Sequence, residues 1–106
     1  MSVLYRYENT KKYKNNGESY LEKMQIIDSD IGISFEYTNK QGEKDFYQIK
    51  VLKPENGIYK VVEIKNKKTD RMEINYEELL KLLKINKKLK FVDDYIKKER
   101  KKYIKK

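Results

Sequence analysis

The chain has 106 residues, enough for one domain and too few for two ordinary ones. It contains no cysteine and no histidine, which excludes disulfides, thiolate nucleophiles, cysteine-bound zinc and an imidazole base. The formal net charge is +9 and it is uneven: residues 1–74 carry 14 basic and 12 acidic side chains, whereas residues 75–106 carry 12 and 5.

A local basic excess attracts polyanions, so the expected partner is nucleic acid or an acidic protein surface. Only Arg6, Arg71 and Arg100 are arginine among the 26 basic residues. Lysine is a point charge suited to phosphate, whereas bidentate reading of guanine is mainly arginine work. No apolar run approaches the ~20 residues of a membrane span, so no membrane partner is expected. The N-terminal stretch lacks the apolar core of a signal peptide, which places the expected location inside the cell. A homodimer is compatible with these features.

The first three quarters alternate with period two, the mark of half-buried strands. Val3, Tyr5 and Tyr7 alternate with Leu4, Arg6 and Glu8. Tyr20, Met24 and Ile26 share a face that Glu22 interrupts. Ile33, Phe35 and Tyr37 form the next alternating set, and Tyr47, Ile49 and Val51 the one after. Ile58, Val62 and Ile64 share a face with Lys60, and Met72 and Ile74 alternate with Arg71 and Glu73. Asn16-Gly17 and Asn56-Gly57 are hairpin signals, because both residue types tolerate the positive φ of a tight primed turn. Asp28 to Gly32 and Asn39 to Gly42 read as looser turns, and Asn66 to Asp70 as a polar loop. Short gaps imply antiparallel pairing. The fold class is therefore α+β: an antiparallel β-meander of five to six strands followed by one or two C-terminal α-helices packed on the sheet, all in one domain over residues 1–106.

At Asn75 the period changes. Asn75 with Glu78 forms a capping-box pattern. Leu79, Leu80, Leu82 and Leu83 follow at helical spacing and are expected in the core. A seam at 82, 85, 89, 92, 96, 99 and 103 allows one long helix. Two helices are favoured, with a break at Asn86-Lys87-Lys88 and Asp93 or Asp94 capping a basic second helix within 93–106.

Four constellations could carry chemistry. In the first, Lys97, Lys101 and Lys105 recur at four-residue steps with Lys98 and Lys102 beside them, and Tyr103 lies close by. Lys11, Lys12, Tyr13 and Lys14 repeat the theme. Lysines interleaved with tyrosine can neutralise phosphates and stack a base, so these ten residues are the candidate nucleic-acid contacts. The second is Val61-Val62-Glu63-Ile64-Lys65, which resembles the last part of the PD-(D/E)xK nuclease core. The resemblance implies a metal-holding acid at Glu63, a lysine at Lys65 that steadies the attacking water, and Asp45 as the nearest second acid. That family also has a helix ahead of these strands and a parallel element, and this chain has neither. The expectation is accordingly a non-enzymatic chain with no cofactor and no metal. The third is Asp28-Ser29-Asp30, read as Asx-turn residues of a hairpin loop rather than a calcium site, since the further ligands of such a loop are absent. The fourth is the ten tyrosines, of which Tyr20, Tyr37, Tyr47 and Tyr59 are expected as core or half-core rings in strands.

In architecture, a curved antiparallel sheet crossed by a C-terminal helix resembles the single-strand-binding transcriptional coactivators. That resemblance transfers no residues. The function expected is a small, basic nucleic-acid-binding accessory protein that contacts phosphates through lysines. The alternative is a protein–protein interaction module, such as a small viral or mobile-element regulator or inhibitor of a larger nucleic-acid-handling enzyme.

Overall fold

The computed structural model describes residues 3–29, 32–42, 45–52 and 54–99. Six strands follow one another: β1 Val3–Asn15, β2 Glu18–Ser29, β3 Gly32–Gln41, β4 Asp45–Val51, β5 Tyr59–Lys65 and β6 Lys68–Ile74. They pair in sequence order, each antiparallel to the last, so β1 and β6 are the sheet edges. Two α-helices follow among the described residues: α1 Tyr76–Ile85 and α2 Lys90–Asp94. A 3-10 turn at Lys87–Leu89 precedes α2, and a π turn at Tyr95–Glu99 follows it.

The turns obey their chemistry. Asn16 and Gly17 have φ of 51° and 80°, and Asn56 and Gly57 have 54° and 78°. Both central residues are thus left-handed, as a two-residue primed turn requires. Asn66 also has a positive φ, 55°, and starts a two-residue turn into β6. The expected polar loop over Asn66–Asp70 is therefore mostly strand. β6 is an edge, and of its seven residues only Ile74 is buried, so it needs little apolar patterning.

One face of the sheet forms the core. Ile26, Ile33, Phe35, Tyr37, Ile49, Val51, Tyr59, Val61 and Ile74 point toward the helices and meet Leu79, Leu83, Leu89, Val92 and Tyr95. On β5 the buried pair is Tyr59 and Val61, and the set Val62 and Ile64 lies on the opposite face with Lys60. Tyr37 and Tyr59 are core rings, while Tyr20 and Tyr47 are half-buried.

The capping box at α1 forms as expected: the Glu78 N–H donates to Asn75 Oδ1 at 2.9 Å, and the Asn75 N–H donates to Glu78 Oε1 at 3.1 Å. Leu79 and Leu83 are buried, while Leu80 and Leu82 pack at the margin of the core. Ile85 is 79% exposed, so the single seam is interrupted there, and α1 is capped at the next residue. The break falls at Asn86, and its cause is visible. Asn86 adopts an extended backbone, its N–H still donates to the Leu82 carbonyl at 2.9 Å, and its Oδ1 accepts from the Lys88 N–H at 3.1 Å. Asp93 and Asp94, expected as caps, lie inside the helical stretch instead, because Asn86 already starts it.

Asp28 and Ser29 also depart from the expected loop. They are the last residues of β2 and both are buried. Ser29 Oγ donates to the Gly32 carbonyl at 3.1 Å. Asp28 faces the helices and accepts a hydrogen bond from the Tyr95 hydroxyl at 2.7 Å. Asp30 lies outside the described residues.

Candidate nucleic-acid interface

β1 and β2 form the longest hairpin of the sheet, and its turn fixes what lies opposite what. With Asn16-Gly17 as the loop, Asn15 pairs with Glu18, Lys14 with Ser19, and Tyr13 with Tyr20. The two tyrosines face the helix side of the sheet but lie toward the tip. Their rings stack at 4.9 Å between centroids with planes 9° apart. Tyr13 is 57% exposed. The Tyr20 hydroxyl donates to Glu18 Oε2 at 3.2 Å, and this bond raises the Tyr20 pKa above its usual value. An offered, pre-stacked aromatic face beside lysines can take a nucleobase.

Strand alternation divides the 11–14 segment. Lys11 and Tyr13 point to the helix side, and Lys12 and Lys14 point to the other face. Both faces meet at the outer edge of β1, since no described strand pairs beyond it. A hollow of about 1040 Å³ at the tip is lined by Lys12, Tyr13, Lys14, Tyr20, Lys40 and Asp45, among others. Lys40, on β3, was not singled out by the sequence. The Tyr13–Tyr20 pairing was legible in principle, by counting outward from the Asn-Gly turn.

The C-terminal candidates divide as well. Lys97 and Lys98 are exposed on the π turn. Lys97 is bound at 2.8 Å to Asp93, whose hydrogen bond raises the lysine pKa, so part of its charge is already answered within the chain. Lys98 lines a small hollow with Tyr5, Tyr7, Phe91, Asp94 and Tyr95. This hollow and Tyr13 lie on the same side of β1, six residues apart, or roughly 20 Å at strand rise. Lys101, Lys102, Tyr103 and Lys105 lie outside the described residues.

A second polar cluster occupies the helix side near the end of α1. The Tyr47 hydroxyl donates to Glu63 Oε2 at 2.6 Å and accepts from Asn86 Nδ2 at 2.9 Å, and Lys88 Nζ lies 4.5 Å from the ring centroid. Burial, reinforced by the bond to Glu63, pushes the Tyr47 pKa up to about 12. Across the sheet Tyr37 donates to Glu22 Oε2 at 2.9 Å and accepts from Asn39 Nδ2 at 3.1 Å.

These bonds also bear on the nuclease resemblance. Glu63 pairs with Ile49 in the ladder, so Asp45 is offset from it by four residues, about 13 Å at strand rise. The Glu63 carboxylate is turned to Tyr47 instead. Among the described residues no group of three acidic side chains gathers as a metal site. No described helix is long and apolar enough to cross a membrane.

No family model matches the chain, and no curated protein or solved structure matches it at a significant level.

Proposed function

We propose that this chain is a non-enzymatic accessory protein that binds single-stranded nucleic acid at the tip of the β1–β2 hairpin. The observation that carries the reading is the exposed Tyr13 ring, held flat on Tyr20 within a lysine-rich stretch of an edge strand. A base stacks on the ring, and lysines on the same strand neutralise the adjoining phosphates. Arginine-poor contacts of this kind favour binding without base reading.

The test is fluorescence anisotropy with labelled single-stranded and duplex oligonucleotides over a range of salt. Tyr13→Ala is expected to weaken single-strand binding by roughly 1–3 kcal/mol, the worth of one stacked base, and to leave duplex binding nearly unchanged. Equal losses on both substrates would refute a stacking role. A chain that binds neither at low salt would favour the alternative, a protein-binding module that docks on an acidic surface of a larger nucleic-acid-handling enzyme. The exposed Ile85, beside Lys87 and Lys88 at the rim of the Tyr47 groove, is the feature that suits that second reading.

A further inference from the structure

The ladder registers sort every strand residue onto one of two faces, and charge sorts with them. The helix side carries three basic and six acidic side chains within the strands, whereas the helix-free face carries eight basic and three acidic ones. The sequence shows no such division in this part of the chain, where the two signs nearly balance. Helices cover one face only: none of the apolar side chains on the other, such as Leu21, Phe46 or Ile64, joins the core cluster.

The basic excess of the helix-free face has a focus. Toward the hairpin tip, Lys12 pairs with Leu21, Leu21 with Lys40, and Lys40 with Phe46, which makes one straight row across four strands. Lys14 lies one step beyond this row on β1, and Lys23 one step below it on β2. Neighbouring strands are about 4.8 Å apart and same-face residues about 7 Å apart along a strand. Lys12 and Lys40 are therefore roughly 10 Å apart across the row, with Lys14 and Lys23 within similar reach. Among the described residues no acidic side chain of this face falls in the quadrant: the nearest on the face are Glu8 and Glu36, in a row beyond Lys23, while Glu18 and Asp45 belong to the helix side and reach only the rim of the tip hollow. Glu36 is already engaged: it accepts from Thr38 Oγ1 at 3.1 Å and from Gln48 Nε2 at 3.4 Å, and lies 3.8 Å from Lys50 Nζ. Among the described residues none of the four lysines has a carboxylate within ion-pair distance.

Four cations without an ion pair, spaced roughly 7–10 Å apart on a face that no described helix covers, can hold a polyanion, and the edge of β1 joins them to the Tyr13 ring. We infer that Lys12, Lys14, Lys23 and Lys40 form the phosphate track of the bound strand. The strand passes over the free edge of β1, its bases toward Tyr13 on one side and its backbone across the lysine quadrant on the other. This inference rests on the single-strand reading above and adds to it the face on which the backbone runs.

The test removes two lysines that the sequence motif does not contain. In the full chain, Lys23→Gln with Lys40→Gln is compared with Lys81→Gln with Lys84→Gln, which takes the same charge from exposed positions on α1. Binding of a labelled single-stranded oligonucleotide is measured at several salt concentrations, with circular dichroism as the folding control. The quadrant variant is expected to flatten the slope of log K against log salt by about 1.4, near 0.7 for each phosphate that is no longer neutralised, while the α1 variant leaves it within about 0.3 of the native value. Native binding with an unchanged slope in the quadrant variant, or an equal change in both variants, overturns the track and leaves the Tyr13 site standing. Absence of native binding at low salt overturns both.

Discussion

Tyr95 ties the last helical stretch to the far side of the chain, and its hydroxyl can be removed cleanly. The ring is 3% exposed and stacks on Tyr5 at 4.3 Å, and its hydroxyl reaches Asp28, 67 residues earlier, at 2.7 Å. Tyr95→Phe keeps the ring and the stacking but takes the donor from the carboxyl group of Asp28, a residue 0% exposed. Losing a hydrogen bond to such an acceptor costs about 2 kcal/mol. Tyr95→Ala would add roughly 3–5 kcal/mol for the cavity, on the order of the whole stability of a domain this size, so the phenylalanine variant is the informative one. A loss of about 2 kcal/mol lowers Tm by about 10 °C and moves the urea midpoint by about 1 M. Urea titration followed by circular dichroism measures it, the chain having no tryptophan. Asp28 and Tyr95 both make other contacts too, so a double-mutant cycle with Asp28→Asn is needed to isolate the pair. Coupling of about 1 kcal/mol or more is expected for groups in direct contact. A Tyr95→Phe variant within ~0.5 kcal/mol of the native chain, or a cycle with no coupling, would show that the hydroxyl contributes nothing net.

Alkaline titration should reveal a late tyrosine. Tyr47 keeps its proton to about pH 12 in the fold, whereas the unfolded chain releases it near pH 10. Between those values the unfolded state binds fewer protons, so this contribution to stability is complete below pH 10 and disappears as pH rises toward 12. Absorbance at the phenolate band should show the late step, and Tyr47→Phe should delete it; a native chain whose described tyrosines all ionise near pH 10 would contradict the buried Tyr47–Glu63 geometry. A third expectation concerns Gly32, whose φ is 144°. A Cβ there would overlap Pro54 Cγ in a rigid ring, so Gly32→Ala should cost at least ~2 kcal/mol in chemical denaturation, and a neutral result would mean that Pro54 does not close over β3.

Much of the architecture follows from local signals. Period-two patterning gives β1, β3 and β4, the two Asn-Gly pairs give two turns, and Asn75 with Glu78 gives the start of α1. The departures share a cause: each depends on what the segment meets in the fold rather than on its own composition. Asp28 and Ser29 have the composition of a turn, yet β2 continues through them because β1 and β3 pair with its end and Tyr95 meets the carboxyl group. β6 has the composition of a loop because the sheet leaves most of it wet. Asp93 could cap a helix, but Asn86 already does so from the preceding turn. The candidate site was partly legible. Tyr13 and its lysines stand out in sequence, whereas Lys23 and Lys40 join them only through two successive registers.

The strands also shorten across the sheet, from 13 residues in β1 to seven in β6. The tip of the first hairpin is held by backbone pairing, β1 to β2 and β2 to β3, rather than by the core, since no core residue of β1 or β2 lies nearer to it than Ile26, with Met24 at the margin. Its amides have no buried layer to protect them, so they can open at a free energy well below that of the whole domain. A ligand seated there would slow amide exchange at the tip while leaving the rate at Ile33, Ile49 and Val51 set by global unfolding. Occupancy of this end of the molecule would thus register residue by residue as a local stiffening, and in a thermal melt only as the rise in Tm that any ligand of the folded state produces.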